Sequence, residues 1–289
     1  MLDRHLNLPD GRALAYAEFG RPDGLPVLYF HGAPSSRFEP LLVGDEVLHR
    51  LGLRVIAPDR PGMGGSTFRP GRGFADWPRD VVALADSLGL DRFAVWGYSG
   101  GGPYVAACAA KIPARLTAAV IVAGAWRMDW PEVAAGLPLP NRLMVFFARR
   151  APWLLGPMFQ AMASLGQGAP EKELAGMKGR VTAADYAWFA HDSRRFATLG
   201  RVLRESLRPG TKGAVWDMRR YVHEFDFRAD EIRMPLRLFH GEQDANYPLA
   251  AVRRALRDLP SAQLVTYADE AHLSLSSNRM EAVAAALGA

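Results

Sequence analysis

The stretch Gly97-Tyr98-Ser99-Gly100-Gly101 follows the apolar run 92–96 and precedes a helix-like segment at 103–111. This order predicts a strand, a sharp turn and a helix. A G-x-S-x-G turn needs small residues at both ends because the backbone at the serine is strained and the strand and helix pass close together. Such a turn exposes the hydroxyl beside the free N–H groups of a helix start, where negative charge is stabilised. Ser99 is therefore the candidate nucleophile, of the kind that attacks carbonyl groups.

Strand-like and helix-like segments alternate on both sides of this turn. Apolar runs predict strands at 13–19, 26–31, 54–58, 116–123, 235–240 and 263–267, and helical spacing predicts helices at 40–51, 76–88, 249–258 and 280–287. Continuous apolar strands joined by helices are typical of a parallel sheet covered on both faces. The predicted fold class is α/β, with a mostly parallel central sheet flanked by helices.

The pattern changes between residues 125 and 230, where short strands disappear and prolines separate helix-like stretches. We interpret 125–230 as a helical cap inserted between two parts of one core, residues 1–124 and 231–289. The apolar side chains of this cap either line an acyl pocket or pack the cap onto the sheet, and they disfavour a very polar substrate. They include Trp126, Trp130, Trp153, Trp188, Trp216, Met144, Phe146, Phe147, Met158, Phe159 and Met162.

Charge restricts the class of partner. The chain of 289 residues has 35 Lys and Arg against 30 Asp and Glu, and the whole excess lies between 126 and 230, with 16 against 11. The excess positive charge either forms a solvated arginine-rich surface or attracts an anionic partner. Such a partner would be an acidic substrate, an anionic membrane surface or nucleic acid. Because acids alternate with the arginines and no nucleic-acid motif accompanies them, we expect no nucleic-acid partner.

Cysteine usage and the N-terminus suggest a compartment. The single Cys108 excludes an internal disulfide and fits a reducing environment. The N-terminus has no signal-peptide pattern, and no stretch of about 18 uncharged apolar residues occurs. We expect a cytoplasmic protein with no integral membrane segment, acting on a small molecule. The sequence does not determine whether the chain forms a homo-oligomer.

A serine nucleophile needs a base that takes its proton and a third group that orients the base. On a sheet of this kind the expected order is serine, acid, histidine, each after a strand. Asp244 follows the strand at 235–240 and His272 follows the strand at 263–267. We therefore predict that both loops open at the sheet edge that carries Ser99. The rival acids are Glu242, Asp269 and Glu270.

The oxyanion of a tetrahedral intermediate needs two backbone donors placed in advance. The residue after the nucleophile supplies one, the N–H of Gly100. The second is expected from the loop His31-Gly32-Ala33-Pro34, in which Ala33 can turn its N–H into the site whereas Pro34 has none.

These motifs together resemble the α/β-hydrolase superfamily, in its capped esterase, lipase and peptidase-like branch. The matching pieces are 31–34, 59–66, 97–101, 240–244 and 271–272. The resemblance implies a Ser99–His272–Asp244 triad, an oxyanion hole of Ala33 and Gly100, and no cofactor. Ala271 departs from the family, which usually has glycine before the histidine. The glycine-rich segment 59–66 is interpreted as structural, and no metal-binding motif occurs.

Serine as nucleophile argues against the epoxide hydrolases and haloalkane dehalogenases of this superfamily, which use aspartate. We predict a serine hydrolase, in the first place a carboxylesterase for apolar esters of small to medium size. Aminopeptidase, thioesterase, lactonase and carbon–carbon bond hydrolase are alternatives on the same triad, and a ligand receptor that keeps the fold is an alternative of another class. An aminopeptidase would need acids facing Ser99, for which the candidates are Glu132, Glu171, Glu173 and Glu224.

Overall fold

The computed structural model describes residues 2–165 and 167–289, and eight strands within them form one sheet. They are β1 (Leu2–Asn7), β2 (Ala13–Gly20), β3 (Leu25–Phe30), β4 (Leu53–Pro58), β5 (Phe93–Tyr98), β6 (Leu116–Val122), β7 (Leu236–Gly241) and β8 (Ala262–Tyr267). The order across the sheet is β1-β2-β4-β3-β5-β6-β7-β8. Strand β2 runs antiparallel to β1 and β4, and all other pairs are parallel. The predicted mostly parallel sheet is confirmed.

Helices follow the strands in three groups. The first comprises α1 (Asp45–Arg50), α2 (Trp77–Ser87) and α3 (Gly102–Lys111). Between β6 and β7 lie α4 (Pro131–Ala135), α5 (Leu139–Arg150), α6 (Leu155–Met162), α7 (Pro170–Met177), α8 (Ala183–His191), α9 (Arg194–Ser206) and α10 (Lys212–Tyr221). The last group comprises α11 (Leu249–Ala255), α12 (His272–Asn278) and α13 (Met280–Leu287). The division into residues 1–124, 125–230 and 231–289 stays a prediction, although α4–α10 occupy the segment interpreted as a cap.

The strands are apolar on both faces because helices cover both faces of the sheet. In β3, Leu28 and Phe30 belong to the cluster that includes α2 and α3, whereas Val27 and Tyr29 belong to the cluster that includes α1 and α13. This alternation follows from the two-residue period of a strand. All four side chains are buried, which explains the continuous apolar runs in the sequence.

Three local features differ from the sequence prediction. The helix predicted at 40–51 is wrong as one element, because Gly44 has a φ of 104° and separates a 3-10 turn, Glu39–Leu42, from α1. The antiparallel strand β1 and the helix α12 were not predicted. No helix in the described parts of the chain is long and apolar enough to span a bilayer.

A buried ion cluster joins α10 to the core. Asp217 of α10 accepts hydrogen bonds from Arg60 Nε at 2.6 Å, from Arg72, and from the Tyr104 hydroxyl of α3 at 2.8 Å. Arg60 and Asp217 are fully buried. Burial alone would raise the pKa of Asp217, but the two guanidinium groups outweigh it and hold the pKa at about 2. The carboxylate therefore stays charged between two cations.

Replacement of Asp217 by asparagine should destabilise the fold strongly, because it leaves two buried guanidinium groups without a counter-charge. We expect a loss of about 3–5 kcal/mol in the free energy of unfolding, measured by urea denaturation. The matched control is Asp230→Asn, which removes an exposed partner of Arg228 and should leave the free energy of unfolding nearly unchanged. Equal losses in both variants would contradict this account of the cluster.

Candidate active site

The turn at Ser99 is sterically tight. Ser99 has a φ of 49°, in the left-handed region that side chains rarely adopt. A Cβ on Gly101 would lie 2.0 Å from the Phe30 carbonyl oxygen, and one on Gly97 would lie 2.7 Å from the Gly101 carbonyl oxygen. Both positions therefore require glycine. The turn delivers Ser99 to the carboxyl edge of the sheet, at the start of the 3-10 segment Ser99–Gly101 that leads into α3.

The three predicted side chains meet at this edge. His272 Nε2 lies 3.1 Å from Ser99 Oγ, and His272 Nδ1 lies 2.8 Å from Asp244 Oδ2. The other carboxylate oxygen of Asp244 accepts the backbone N–H groups of Asn246 and Tyr247, each at 2.8 Å. These two bonds fix the carboxylate, so that Oδ2 orients the imidazole with Nε2 toward the hydroxyl.

The pKa shifts of His272 and Asp244 favour proton transfer from Ser99 to His272. Burial would lower the pKa of His272, but the adjacent Asp244 carboxylate raises it above its ordinary value. Burial would likewise raise the pKa of Asp244, but the His272 charge and its hydrogen bond hold it below its ordinary value. Asp244 is therefore ionised when His272 takes a proton, and it stabilises the imidazolium.

The rival acids are engaged elsewhere. Glu242 accepts a hydrogen bond from the Thr266 hydroxyl at 2.8 Å. Asp269 and Glu270 both pair with Arg279. Among the candidates considered, Asp244 is the carboxylate that reaches His272.

His272 is the first residue of α12, and the first turn of this helix is hydrogen-bonded to α8. Asp185 of α8 accepts the N–H groups of Leu273 and Ser274, each at 2.9 Å. Carboxylates stabilise helix N-termini because the N–H groups there lack partners within the helix. The preceding Ala271 has a φ of −122°, a conformation open to any residue. Glycine is therefore not required at this point of the loop.

The two predicted backbone donors lie side by side. The point that a Cβ on Gly100 would occupy is 3.2 Å from the Ala33 nitrogen and 2.9 Å from the Ala33 Cβ. Strands β3 and β5, which end just before these residues, are adjacent and parallel. The loop after β3 therefore faces the turn after β5.

The peptide unit between Gly32 and Ala33 is held by charge at its carbonyl end. Arg60 Nη2 donates to the Gly32 carbonyl oxygen at 2.6 Å, and a second Arg60 nitrogen donates to the His31 carbonyl oxygen. The carbonyl and the N–H of a trans peptide point in opposite directions. A cation on the Gly32 carbonyl thus directs the Ala33 N–H away from Arg60 and polarises it as a donor.

His31 adds a second donor to the same carbonyl. Its Nε2 accepts the Arg60 backbone N–H at 3.2 Å, which places the ring proton on Nδ1, 2.8 Å from the Gly32 carbonyl oxygen. Burial, together with the Arg60 charge, lowers the pKa of His31 well below its ordinary value, so the ring is neutral. On the opposite side of the loop, the Gly32 N–H donates to Glu39 at 2.8 Å.

A cavity of about 300 Å³ opens above Ser99, Ala33 and Gly100. Its walls are mostly apolar and include five methionines. Of the cap side chains predicted to form a pocket, Met144, Met158, Phe159 and Met162 line it, whereas the five tryptophans do not. Of the two roles left open for the cap side chains, lining a pocket therefore applies to these four and not to the tryptophans. Trp126 and Trp188 are buried within the packing, and Trp153 is exposed.

Several residues around the site escaped the sequence analysis. Arg60 belongs to the segment interpreted as only structural, and its place just after β4 is the one signal that pointed to the site. Tyr221, whose hydroxyl donates to the Gly100 carbonyl at 2.6 Å, and Asp185 give no such signal, because both lie on helices far from Ser99 in the sequence. In the described residues, no group of three or more His, Cys, Asp or Glu side chains is placed to hold a metal ion.

Comparison with known proteins gives a family match over most of the chain. The family model described as alpha/beta hydrolase fold matches residues 26–278. A non-heme chloroperoxidase from Streptomyces lividans is 38% identical over 118 residues, which is 39% of this chain and 41% of that protein. The aligned part thus spans about two fifths of that relative. A pimeloyl-[acyl-carrier protein] methyl ester esterase from Aromatoleum aromaticum is 28% identical over 78% of this chain and 83% of its own.

Solved structures share the fold over the whole length. The enol-lactonase from Burkholderia xenovorans superposes with a TM-score of 0.68 at 20% identity, covering 98% of this chain and 97% of its own. At this identity the likeness concerns the fold alone.

The pH dependence of Ser99 labelling tests the role of Asp244. A fluorophosphonate needs neutral His272 to accept the serine proton, and because the pKa of His272 is raised, labelling should decline as the pH falls through a midpoint above that of free histidine. In Asp244→Asn the midpoint should move to lower pH and the rate should fall. Labelling is followed by intact-protein mass spectrometry.

The control for this experiment is Asp269→Asn, because Asp269 is an exposed rival acid close to His272 in sequence. It should leave the labelling midpoint unchanged. A shift in Asp269→Asn but not in Asp244→Asn would reverse the assignment of the orienting acid.

Proposed function

The chain belongs to the alpha/beta hydrolase fold family, and from that premise we propose that it is a serine hydrolase that cleaves carboxylic esters of small to medium apolar substrates. The observation that carries this proposal is the hydrogen-bonded series from Ser99 through His272 to Asp244, with distances of 3.1 and 2.8 Å, at the floor of an apolar cavity. Hydrolysis is the activity expected of the family, and the ester is the proposed substrate.

In the proposed mechanism, Ser99 attacks the ester carbonyl while His272 Nε2 takes the hydroxyl proton. The tetrahedral oxyanion accepts hydrogen bonds from the N–H groups of Ala33 and Gly100. His272 then protonates the leaving alcohol, and an acyl-enzyme remains on Ser99. Water, deprotonated by the same histidine, attacks this acyl group, and the imidazolium returns the proton to Ser99 Oγ as the bond to the acid breaks. Asp244 stabilises the imidazolium in both halves of the reaction.

The cavity supports an apolar acyl or alkyl group. Five methionines and Phe159 form part of its wall, and burying an apolar substrate against such a wall is favourable because it removes apolar surface from water. None of the acids proposed as a peptidase cluster, Glu132, Glu171, Glu173 and Glu224, lines it. An amino-terminal ammonium would therefore find no carboxylate there, which favours an ester over a peptide. The esterase named among the relatives supports the same choice.

Hydrolysis of p-nitrophenyl esters from acetate to laurate tests the proposal. Ser99→Ala should lose activity by about 10⁴-fold or more, because it removes the nucleophile, and the preferred acyl length should reflect the cavity. The control is Ser164→Ala, an exposed serine of the cap segment, which should keep full activity. Activity that survives in Ser99→Ala would refute the acyl-enzyme mechanism, and a native protein that neither hydrolyses nor labels would favour a receptor.

The hydrogen bond from Arg60 to the Gly32 carbonyl allows a second test of the proposed mechanism. Arg60→Lys keeps the charge beside Asp217 but loses the forked contact with the loop, so we expect kcat for p-nitrophenyl butyrate to fall by about tenfold or more with little change in KM. Arg72→Lys is the matched control, because Arg72 shares Asp217 but does not contact the carbonyls of His31 and Gly32. Equal losses of kcat in both variants would show that only the fold had been disturbed.

A further inference from the structure

Exposed large apolar side chains are concentrated on one part of the molecule. Of the eight that the described residues include, seven lie on α5, on α6 and on the turn between them. We call these seven residues the α5–α6 surface: Leu139, Leu143, Phe146, Trp153, Leu154, Met158 and Met162. Trp153 is 71% exposed and Leu139 65%. Exposed apolar side chains grouped on neighbouring elements mark an interaction site on a folded protein.

The α5–α6 surface adjoins the mouth of the Ser99 cavity. Leu139, Leu143 and Phe146 are spaced along one face of α5, and Met158 and Met162 along one face of α6, with Leu154 just before that helix. Met158 and Met162 are exposed and also line the cavity. A partner that covers Met158 and Met162 therefore also borders the cavity.

The charge of this segment is of one sign. Residues 133–170 contain three arginines and no aspartate or glutamate. Arg142 and Arg150 are exposed, and their spacing from Leu139 and Phe146 puts them on the same face of α5. Nearby Glu132, just outside the segment, lies 3.9 Å from Arg257. The surface thus combines exposed apolar and aromatic groups with positive charge, the combination that binds anionic lipid interfaces.

A second copy of the chain is a poorer partner for this surface. A two-fold dimer places the same patch on both sides of the interface. The arginines of the two copies would then approach each other, and residues 133–170 offer no acid to pair with them. Charge complementarity therefore favours an anionic partner over self-association.

We propose that the α5–α6 surface docks onto an anionic lipid bilayer and turns the mouth of the Ser99 cavity toward it. Trp153, Phe146 and the leucines insert at the level of the headgroups, and Arg142 and Arg150 contact lipid phosphates. The binding is peripheral, since it needs only the side chains of one surface. It follows, on the strength of the proposed function, that the preferred esters are those that partition into the bilayer and enter the cavity from it.

Sedimentation with vesicles tests the docking without turnover. Native protein and Ser99→Ala are mixed with vesicles of phosphatidylcholine alone or with about 30% phosphatidylglycerol. We expect both proteins to bind the anionic vesicles and to dissociate in about 0.5 M NaCl, which screens surface charge. Because Ser99→Ala binds without catalysis, failure of the proposed reaction and failure of docking are separate results.

Surface variants locate the contact. The double variant Arg142→Gln with Arg150→Gln should bind about 25-fold more weakly, at about fivefold for each arginine, and Trp153→Ser should lose about tenfold or more. The controls are Arg194→Gln and Val265→Ser, which change an exposed cation and an exposed apolar side chain elsewhere and should bind normally. All of these variants should hydrolyse soluble p-nitrophenyl butyrate at the native rate, because their residues do not line the cavity.

Three results would overturn the proposal. They are absence of vesicle binding by the native protein, equal binding to neutral and anionic vesicles, and equal losses in the control variants. A native dimer that Trp153→Ser converts to monomer, measured by sedimentation equilibrium, would instead assign the α5–α6 surface to self-association.

Discussion

The salt bridge between Arg60 and Asp217 links the two parts of this molecule that the candidate site needs. One end lies on α10, in the helical segment between β6 and β7, and the other lies in the loop after β4. Arg60 uses its remaining nitrogens to hold the carbonyls of His31 and Gly32. The position of α10 and the orientation of the Ala33 N–H therefore depend on one guanidinium group. Arg60 is fully buried, so water does not compete for its hydrogen bonds.

Other contacts between the helical segment and the core have the same effect. Tyr221 of α10 donates to the Gly100 carbonyl, next to the nucleophile. Asp185 of α8 accepts two N–H groups at the start of α12, beside the base. Each contact joins a helix between β6 and β7 to a segment that carries one of the proposed catalytic residues, Ser99 or His272. The segment is thus part of the support of the site, as well as the roof of its cavity.

The sequence predicted what local chemistry determines and missed what long-range packing determines. That Ser99, Asp244 and His272 lie close together could be predicted because each follows a strand, and parallel strands bring their carboxyl ends to one edge of the sheet. Strands β2 to β8 could be predicted from their apolar runs, whereas β1 could not. By contrast, the partner of Arg60 is 157 residues away in the chain, and no spacing rule joins the two.

The methionines of the cavity give its wall a particular chemistry. The thioethers of Met128, Met144, Met158, Met162 and Met218 border the space above Ser99, and their flexible, polarisable side chains adapt to ligands of different outline without movement of the backbone. The same atoms are open to peroxide, most of all at the exposed Met158 and Met162. Each sulfoxide would place a strong dipole in an apolar wall, so oxidative stress would alter which molecules the cavity admits while leaving Ser99, His272 and Asp244 chemically intact.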